Sequence, residues 1–269
     1  MKPDIRHTKY ETRNTSSYLT PWNPPPDDLR LSAEHVDVWR ISASFQNDEL
    51  AKLESVLSVD QRARAKRMRV SEKRRQYIIA QGLTRMLIGE RVGADPRALE
   101  FDRGPNGKPY LGGRFADVGI QFNMTHTSHL ALVALTLNRE VGVDIERIRE
   151  NLQWEKLARR YFSPLEYRDY SKLPESVRLR AFFTCWTRKE AVLKAIGTGL
   201  GGGLASFDVS VDPDAPPALL DNRWNGRFHG NWTLDQLRPG AGYVATLATE
   251  RDGFDVRCWE ANGHALGRI

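Results

Sequence analysis

The chain has 269 residues, 40% hydrophobic and 28% charged, and no apolar run long enough to span a bilayer; this excludes a membrane-embedded or wholly disordered chain. Its two cysteines are too few for a disulfide framework or a cysteine-rich zinc site. Because the first residues also lack an apolar signal segment, we expect a cytoplasmic protein. The net charge of +6 favours anionic partners, which include nucleic acids, phosphorylated cofactors and acidic proteins.

The first predicted elements follow a polar, proline-rich lead-in over residues 1–33. Alternating and helical apolar periodicities define them, and glycine and proline residues separate them. Strands are predicted at residues 36–41, 121–124 and 130–137, helical regions at 47–68 and 72–92, and a loop at 101–110.

A second series of elements follows, and its order is similar. Strands are predicted at residues 140–146, 207–211, 243–249 and 256–260, helices at 150–170 and 174–196, and a loop with five glycines at 197–203. The order of strand, helices and glycine in both halves indicates a duplicated α+β unit. Two unrelated units whose elements follow a common order would show the same similarity, so this alternative stays open at this point.

Two carboxylates share one face of the predicted strand at 140–146. Side chains alternate along a strand, so Asp144 and Glu146 lie on the face opposite the apolar one formed by the valines and the isoleucine. We expect Gly142, on the same face, to leave room for a ligand to approach the backbone. Such a pair is also common on the solvated face of an edge strand.

A third carboxylate lies on the predicted helix at 174–196. Glu190 follows Trp186 by one turn and precedes Lys194 by one turn, on the flank of an apolar stripe where a carboxylate is costly unless it is paired. An i,i+4 salt bridge to Lys194 would explain it simply. Alternatively, Glu190 is a base or a third oxygen ligand beside Asp144 and Glu146, a set that suits Mg²⁺ better than zinc.

Basic and hydroxyl side chains form a second set. Lys108 and Pro109 lie in the predicted loop, Thr125 and His126 end a predicted strand, and residues 61–75 carry eight Lys and Arg residues. Each has an ordinary structural explanation: a turn, a structural histidine and a solvated helical face. Together with the carboxylates they indicate a metal beside phosphate-binding groups, which is what phosphoryl transfer requires.

Five segments, in this order and at these spacings, resemble the 4′-phosphopantetheinyl transferase superfamily. They are GKPY (107–110), FNMTHT (122–127), VGVDIE (141–146), RYFSPLEY (160–167) and WTRKEAVLKAIGTGL (186–200). The most specific signal is the third segment followed by the fifth. The resemblance covers roughly residues 35–250 and is to the long, pseudo-duplicated, monomeric group typified by the surfactin synthetase-activating enzymes.

This resemblance implies an α+β fold of two similar α/β halves related by a pseudo-two-fold axis within one monomer. The halves would be residues 34–139 and 140–269, with the active site at their interface. The implied reaction moves the 4′-phosphopantetheine arm of coenzyme A to a serine of an apo acyl, peptidyl or polyketide carrier protein. It needs Mg²⁺ and releases adenosine 3′,5′-bisphosphate, and neither a nucleic acid nor a membrane is an expected partner.

The resemblance also implies roles for particular residues. Asp144, Glu146 and Glu190 would hold Mg²⁺, Glu190 would also be the base for the carrier serine, and Lys194 would neutralise the leaving phosphate. Contacts with coenzyme A are implied for Arg64, Arg75, Lys108, Pro109, Thr125, His126, Asp144 and Lys194.

Four positions depart from the family pattern. Thr125 and Thr127 stand where serines are usual, which retains the hydroxyls, and glutamines stand at two usually basic positions, Gln61 and Gln76. Arg75 or Arg74 would replace the second of these through a one-residue shift. A metal-dependent phosphohydrolase or nuclease would share the carboxylates, and a non-catalytic basic binding module would share the charge.

Overall fold

The computed structural model describes most of the chain, namely residues 21–42, 47–199, 203–222, 231–250 and 253–261. Residues 1–20 of the predicted lead-in and residues 200–202 of the predicted glycine-rich loop lie outside the described ranges.

Three strands of the first half and β11 from the second half form a four-stranded sheet. The first half also contains a small hairpin and three α-helices. Its elements are β1 (His35–Ser42), α1 (Asn47–Ser55), α2 (Val59–Arg67), α3 (Ser71–Val92), β2 (Phe101–Arg103), β3 (Pro109–Leu111), β4 (Ile120–Thr127) and β5 (Leu130–Leu137). The second half continues with β6 (Val141–Arg147), α4 (Trp154–Tyr161), α5 (Pro164–Lys172), α6 (Glu175–Ile196), β7 (Phe207–Val209), β8 (Leu219–Asn222), β9 (Trp232–Leu237), β10 (Tyr243–Glu250) and β11 (Asp255–Ala261).

The two halves repeat one topology. In the first, β5 pairs antiparallel with both β1 and β4, and in the second, β10 pairs antiparallel with both β6 and β9. Each half has a helix of 22 residues, α3 or α6, that ends at a left-handed glycine, Gly93 with φ 64° or Gly197 with φ 75°. The predicted α+β fold with two similar halves is therefore confirmed, and duplication explains the similarity in the sequence better than coincidence does.

The last strand crosses back to the first sheet. β11 pairs in parallel with β1, which gives the sheet order β11-β1-β5-β4. Buried Asp37 on β1 fixes the register, since its carboxylate accepts hydrogen bonds from Arg257 Nε at 2.8 Å, Arg257 Nη2 at 2.9 Å and Trp259 Nε1 at 2.8 Å. The predicted division at residue 140 falls between β5 and β6. It places β11 in the C-terminal half, although β11 belongs to the sheet of the N-terminal half.

The two sheets meet through a shared apolar core. Val38 and Leu132 from the first sheet pack in one buried cluster with Val143, Ile145 and Leu247 from the second. The amide side chain of Asn123 on β4 also accepts a hydrogen bond from the Val143 backbone N–H at 3.0 Å. Val141, Val143 and Ile145, which the sequence places on one face of the strand, are all buried in this core, and the opposite face of β6 is turned toward α6.

Two predicted helical regions are each divided in the structure. Ser58 and Gln61 form a capping box that starts α2, and Ser163 and Glu166 form one that starts α5. In each box the serine has an extended backbone conformation, which interrupts the helix. The helical region predicted at 47–68 is therefore two helices, and the single helix predicted at 150–170 is corrected to two. The predicted loop at 101–110 contains the β2–β3 hairpin, and β8 and β9 were not predicted.

Candidate active site

Strand β6 and helix α6 are in direct backbone contact at Gly142. A Cβ atom at this position would lie 2.1 Å from the Ala191 carbonyl oxygen and 2.3 Å from the Ala195 nitrogen, so no side chain fits there. The expectation that Gly142 leaves room for a ligand is wrong, because α6 fills that space. The small residues Ala191 and Ala195 allow the close approach, which brings the polar groups of α6 beside the carboxylates of β6.

Lys194 of α6 pairs with Asp144 of β6. Its ammonium donates to Asp144 Oδ1 at 2.6 Å, to Thr125 Oγ1 at 3.1 Å and to the Val143 carbonyl at 3.3 Å. The Thr125 hydroxyl in turn donates to Asp144 Oδ1 at 3.2 Å. The structure thus pairs Lys194 with Asp144 on β6 rather than with Glu190 one turn earlier, and it joins three of the predicted site residues.

Burial disfavours ionisation of all three carboxylates, and repulsion adds to this effect at Glu146 and Glu190. Burial and the nearby Asp144 raise the pKa of both Glu146 and Glu190 to about 7, although the Lys194 ammonium opposes this shift. Burial also raises the pKa of Asp144, against the ion pair with Lys194 and the hydrogen bond from Thr125. These couplings show that Asp144 lies within electrostatic reach of both glutamates, and a bound cation would relieve the repulsion.

The donor set fits a divalent metal such as Mg²⁺. Within the described residues, Asp144 Oδ2 and Glu190 Oε1 are buried and have no hydrogen-bond partner. Carboxylate oxygens are the donors that Mg²⁺ takes in proteins. Among these residues no three His, Cys, Asp or Glu side chains converge closely enough to hold an ion as they stand. The other Asp144 oxygen is neutralised by Lys194 instead.

A cavity of about 260 Å³ lies beside this cluster. Its wall contains four of the residues predicted to contact coenzyme A, Arg64, Pro109, Thr125 and His126. Thr125 also donates a hydrogen bond to Asp144, so this one residue links the cavity wall to the carboxylate cluster. The further lining residues are Gln61, Tyr77, Ala80, Gln81, Phe101, Arg103, Phe122 and Met124.

The cavity combines aromatic walls with guanidinium groups. The Arg64 guanidinium lies 5.4 Å from the centroid of the Tyr77 ring, and Arg103 on β2 also lines the cavity. Sequence reasoning missed Tyr77 and Arg103. Arg103 belongs to a segment predicted as a loop, and Tyr77 lies within the helical region predicted at 72–92.

The two glutamines at usually basic positions are engaged within the protein. Gln61 Oε1 accepts from Arg85 Nε at 2.6 Å, and Gln61 Nε2 donates to Gln81 Oε1 at 2.6 Å. The Gln76 amide donates to the Ser128 carbonyl in the turn after β4. Gln61 therefore lines the cavity as part of an amide network, and Gln76 supports the turn that follows Thr125 and His126.

Two predicted coenzyme A contacts lie elsewhere in the described part of the chain. The Lys108 ammonium contacts the C-terminal end of α6, and Arg75 is not among the residues that line the cavity. Their proposed contacts with the cofactor stay predictions.

Comparison with known proteins decides the family. The model of the 4′-phosphopantetheinyl transferase superfamily matches residues 140–248, and that of the 4′-phosphopantetheinyl transferase N-terminal region matches residues 43–138. The 4′-phosphopantetheinyl transferase HetI of Nostoc sp. is 35% identical over 238 residues, which are 88% of this chain and 97% of that protein. The chain belongs to the 4′-phosphopantetheinyl transferase superfamily.

Two further relatives of this superfamily agree. The phosphopantetheinyl transferase of Thraustochytrium sp. is 30% identical over 69% of each chain. The 4′-phosphopantetheinyl transferase of Bacillus subtilis is 28% identical over 61% of this chain and 70% of that protein. The two successive model matches confirm the long type of the superfamily. Membership makes the chain an enzyme of this class, which decides against the hydrolase, nuclease and binding-module alternatives.

None of the helices in the described residues is long and apolar enough to cross a membrane.

Proposed function

We propose that this enzyme transfers the 4′-phosphopantetheine arm of coenzyme A to a serine of an apo carrier protein, with Mg²⁺, and releases adenosine 3′,5′-bisphosphate. The observation that carries the proposal is the junction at Thr125, whose hydroxyl bonds to Asp144 and also lines the aromatic cavity. A nucleotide in that cavity would extend its phosphates toward the carboxylates. This is the arrangement that transfer of a phosphoryl-linked group needs.

The cavity has the chemistry of a nucleotide site. Tyr77, Phe101 and Phe122 give the wall an aromatic surface for a base, and Arg64 and Arg103 offer guanidinium groups to phosphates. His126 and Pro109 also line the cavity, and His126 directly follows Thr125, which bonds to Asp144. These residues are our proposed coenzyme A contacts, and Thr125 and Lys194 join them at the carboxylate end.

Asp144, Glu146 and Glu190 are the proposed Mg²⁺ ligands. Asp144 Oδ2 and Glu190 Oε1, which are buried without a partner among the described residues, support this assignment. So do burial and the repulsion from Asp144, which together raise the pKa of both glutamates to about 7. When bound, the ion would supply positive charge against the oxygens of the pyrophosphate.

The chain's own residues account for proton and charge transfer. The serine oxygen forms a bond to the phosphorus that carries pantetheine, and the bond from that phosphorus to the bridging pyrophosphate oxygen breaks. Glu190 takes the serine proton, since a carboxylate with a pKa of about 7 is a suitable base near neutral pH. Lys194 neutralises the charge that develops on the leaving phosphate.

The proposed partner is an acidic carrier protein. Lys66, Arg67, Arg69 and Lys73 are exposed on the surface formed by α2 and the start of α3, and Val70 among them is 53% exposed. Such a basic surface with an apolar centre suits an acidic, amphipathic partner helix. The carboxylate cluster and the cavity both form within one chain, which supports a monomeric enzyme. Two free, buried cysteines support a reducing, cytoplasmic location.

Intact-mass spectrometry of an apo acyl carrier protein incubated with the enzyme, coenzyme A and Mg²⁺ tests the proposal. We expect the carrier to gain the mass of one phosphopantetheine arm, and Glu190→Gln or EDTA to abolish that gain. Glu175→Gln, in the exposed first turn of the same helix, is the matched control and should retain activity. Absence of the mass gain on fatty-acid, polyketide and peptide carriers alike, with no coenzyme A binding, would contradict the proposal.

A further inference from the structure

Lys108 holds the end of helix α6 against strand β6. Its ammonium donates to Glu140 Oε2 at 2.5 Å, to the Ala195 carbonyl at 2.6 Å and to the Val141 carbonyl at 3.3 Å. The side chain is only 14% exposed. An ammonium has three N–H donors, so these three acceptors use all of them.

The carbonyls that Lys108 contacts belong to the two elements that carry the carboxylates. Ala195 directly follows Lys194 in the last turn of α6, where carbonyl groups have no partner within the helix and a cation is favourable. Val141 begins β6, three residues before Asp144. One side chain thus fixes α6 and β6 to each other beside the proposed metal ligands.

The stem of Lys108 packs over the glycine that ends α6. Gly197 has φ 75°, and a Cβ atom there would lie 3.1 Å from Lys108 Cδ. At its other end, Lys108 is bonded through the backbone to Pro109, which lines the cavity. Lys108 therefore connects the cavity wall with both carboxylate-bearing elements.

We propose that Lys108 is a positioning residue for the transfer reaction and not a ligand of the coenzyme A phosphates. The ammonium has no N–H left for a phosphate while the three contacts hold, and Glu140 neutralises its charge. Its role is to hold the cavity in line with Asp144, Glu146 and Glu190, so that a bound nucleotide presents its pyrophosphate to them. This inference rests on the function proposed above.

The two roles of Lys108 predict different kinetics. Loss of a positioning residue shifts the reacting groups, for which small displacements cost large factors in rate, but leaves the binding groups of the cavity in place. Loss of a phosphate ligand removes binding energy for coenzyme A. Lys108→Met should therefore lower kcat roughly tenfold or more, with the Kd for coenzyme A changed less than about threefold.

The experiment compares Lys108→Met, Lys108→Arg and Glu140→Gln, with Lys172→Met as the matched control. Lys172 forms an exposed ion pair with Asp169 on α5, away from the site. The measurements are kcat and KM by carrier mass gain, the Kd of coenzyme A by calorimetry without carrier, and Tm. We expect partial rescue by arginine, a smaller fall in kcat for Glu140→Gln, and no added loss when Glu140→Gln is combined with Lys108→Met.

The inference would be overturned if Lys108→Met raised the Kd for coenzyme A by a factor as large as, or larger than, the factor by which it lowered kcat. An unchanged kcat would also overturn it. If Lys108→Met does not fold, Glu140→Gln decides, because a fall in kcat at constant Kd supports positioning and unchanged kcat contradicts it. Wild type and Glu190→Gln are assayed in parallel. An inactive wild type would refute the proposed function itself. An active wild type whose kcat is unchanged by Lys108→Met would refute only this inference.

Discussion

The Lys194 ammonium lies 2.6 Å from Asp144 Oδ1, while Asp144 Oδ2 is buried without a hydrogen-bond partner among the described residues. One oxygen of this carboxylate is thus committed to the lysine and the other is open to a cation. The lysine opposes the effect of burial, which raises the pKa of this carboxyl group.

Lys194→Met should reduce kcat by about 10²- to 10⁴-fold, since it removes the cation that faces the leaving phosphate and leaves Asp144 buried without its ion-pair partner. Steady-state carrier modification measures the effect, with Lys172→Met as the control for loss of an exposed lysine. Activity within threefold of wild type would contradict the role given to Lys194.

The stability of the metal-free enzyme should fall as pH rises from about 4.5 to about 7. Glu146 and Glu190 release their protons near pH 7 in the folded protein but at lower pH when unfolded, so the folded state holds more protons in this window. Each carboxylate contributes on the order of 2 kcal/mol to this loss. Mg²⁺ prefers the ionised forms, so its increase in Tm should be larger at pH 8 than at pH 5.

Calorimetric melting of wild type and of the Glu146→Gln/Glu190→Gln double variant checks this. The variant should lose both the decline with pH and most of the Mg²⁺ effect. An equal Mg²⁺ effect at the two pH values in wild type would argue against these two carboxylates as ligands.

Gly142→Ala should destabilise the enzyme by roughly 1–3 kcal/mol or more, because the new methyl group would meet the α6 backbone at 2.1 Å and 2.3 Å. Activity should fall by more than the loss of folded protein accounts for, because α6 must move away from Asp144. Gly104→Ala is the control, because a Cβ there would make only an ordinary contact at 3.7 Å. Urea unfolding and kcat together test this, and a Gly142→Ala variant as stable and active as the control would refute the close packing.

The Lys189–Glu166 pair should matter far more to stability than surface pairs do. Both side chains are fully buried, their charged atoms are 2.6 Å apart, and Glu166 also accepts from the Val209 N–H at 2.8 Å. Lys189→Met would leave Glu166 buried without its cation, so we expect a loss of about 3–5 kcal/mol in urea unfolding. Lys172→Met should change the unfolding free energy by under about 1 kcal/mol. Equal losses for Lys189→Met and Lys172→Met would show that burial does not determine how much stability an ion pair contributes.

The parts of the site that sequence predicts are those set by local periodicity. The two-residue repeat of a strand places Asp144 with Glu146, and the helical turn places Glu190 near Lys194. Whether Lys194 bonds to Glu190 or to Asp144 depends on how closely α6 approaches β6. That approach depends on Gly142 meeting Ala191 and Ala195, which is a tertiary contact.

The cavity was the less predictable part, because its lining comes from α2, α3, the β2–β3 hairpin and β4. Arg103 faces it from a three-residue strand whose glycine- and proline-rich surroundings are typical of a loop. The helix breaks at Ser58 and Ser163, in contrast, were readable, since both begin a capping-box pattern of a serine followed three residues later by Gln61 or Glu166.

The parallel pairing of β11 with β1 has a consequence for how the protein is made. Until residues 255–261 have been synthesised, β1 is an open edge of its sheet, with backbone groups that another chain can pair with. Asp37 also remains without Arg257 and Trp259 until then. The first half therefore cannot complete its sheet before the strand at residues 255–261 has been made, and expressed by itself it would be prone to edge-to-edge aggregation.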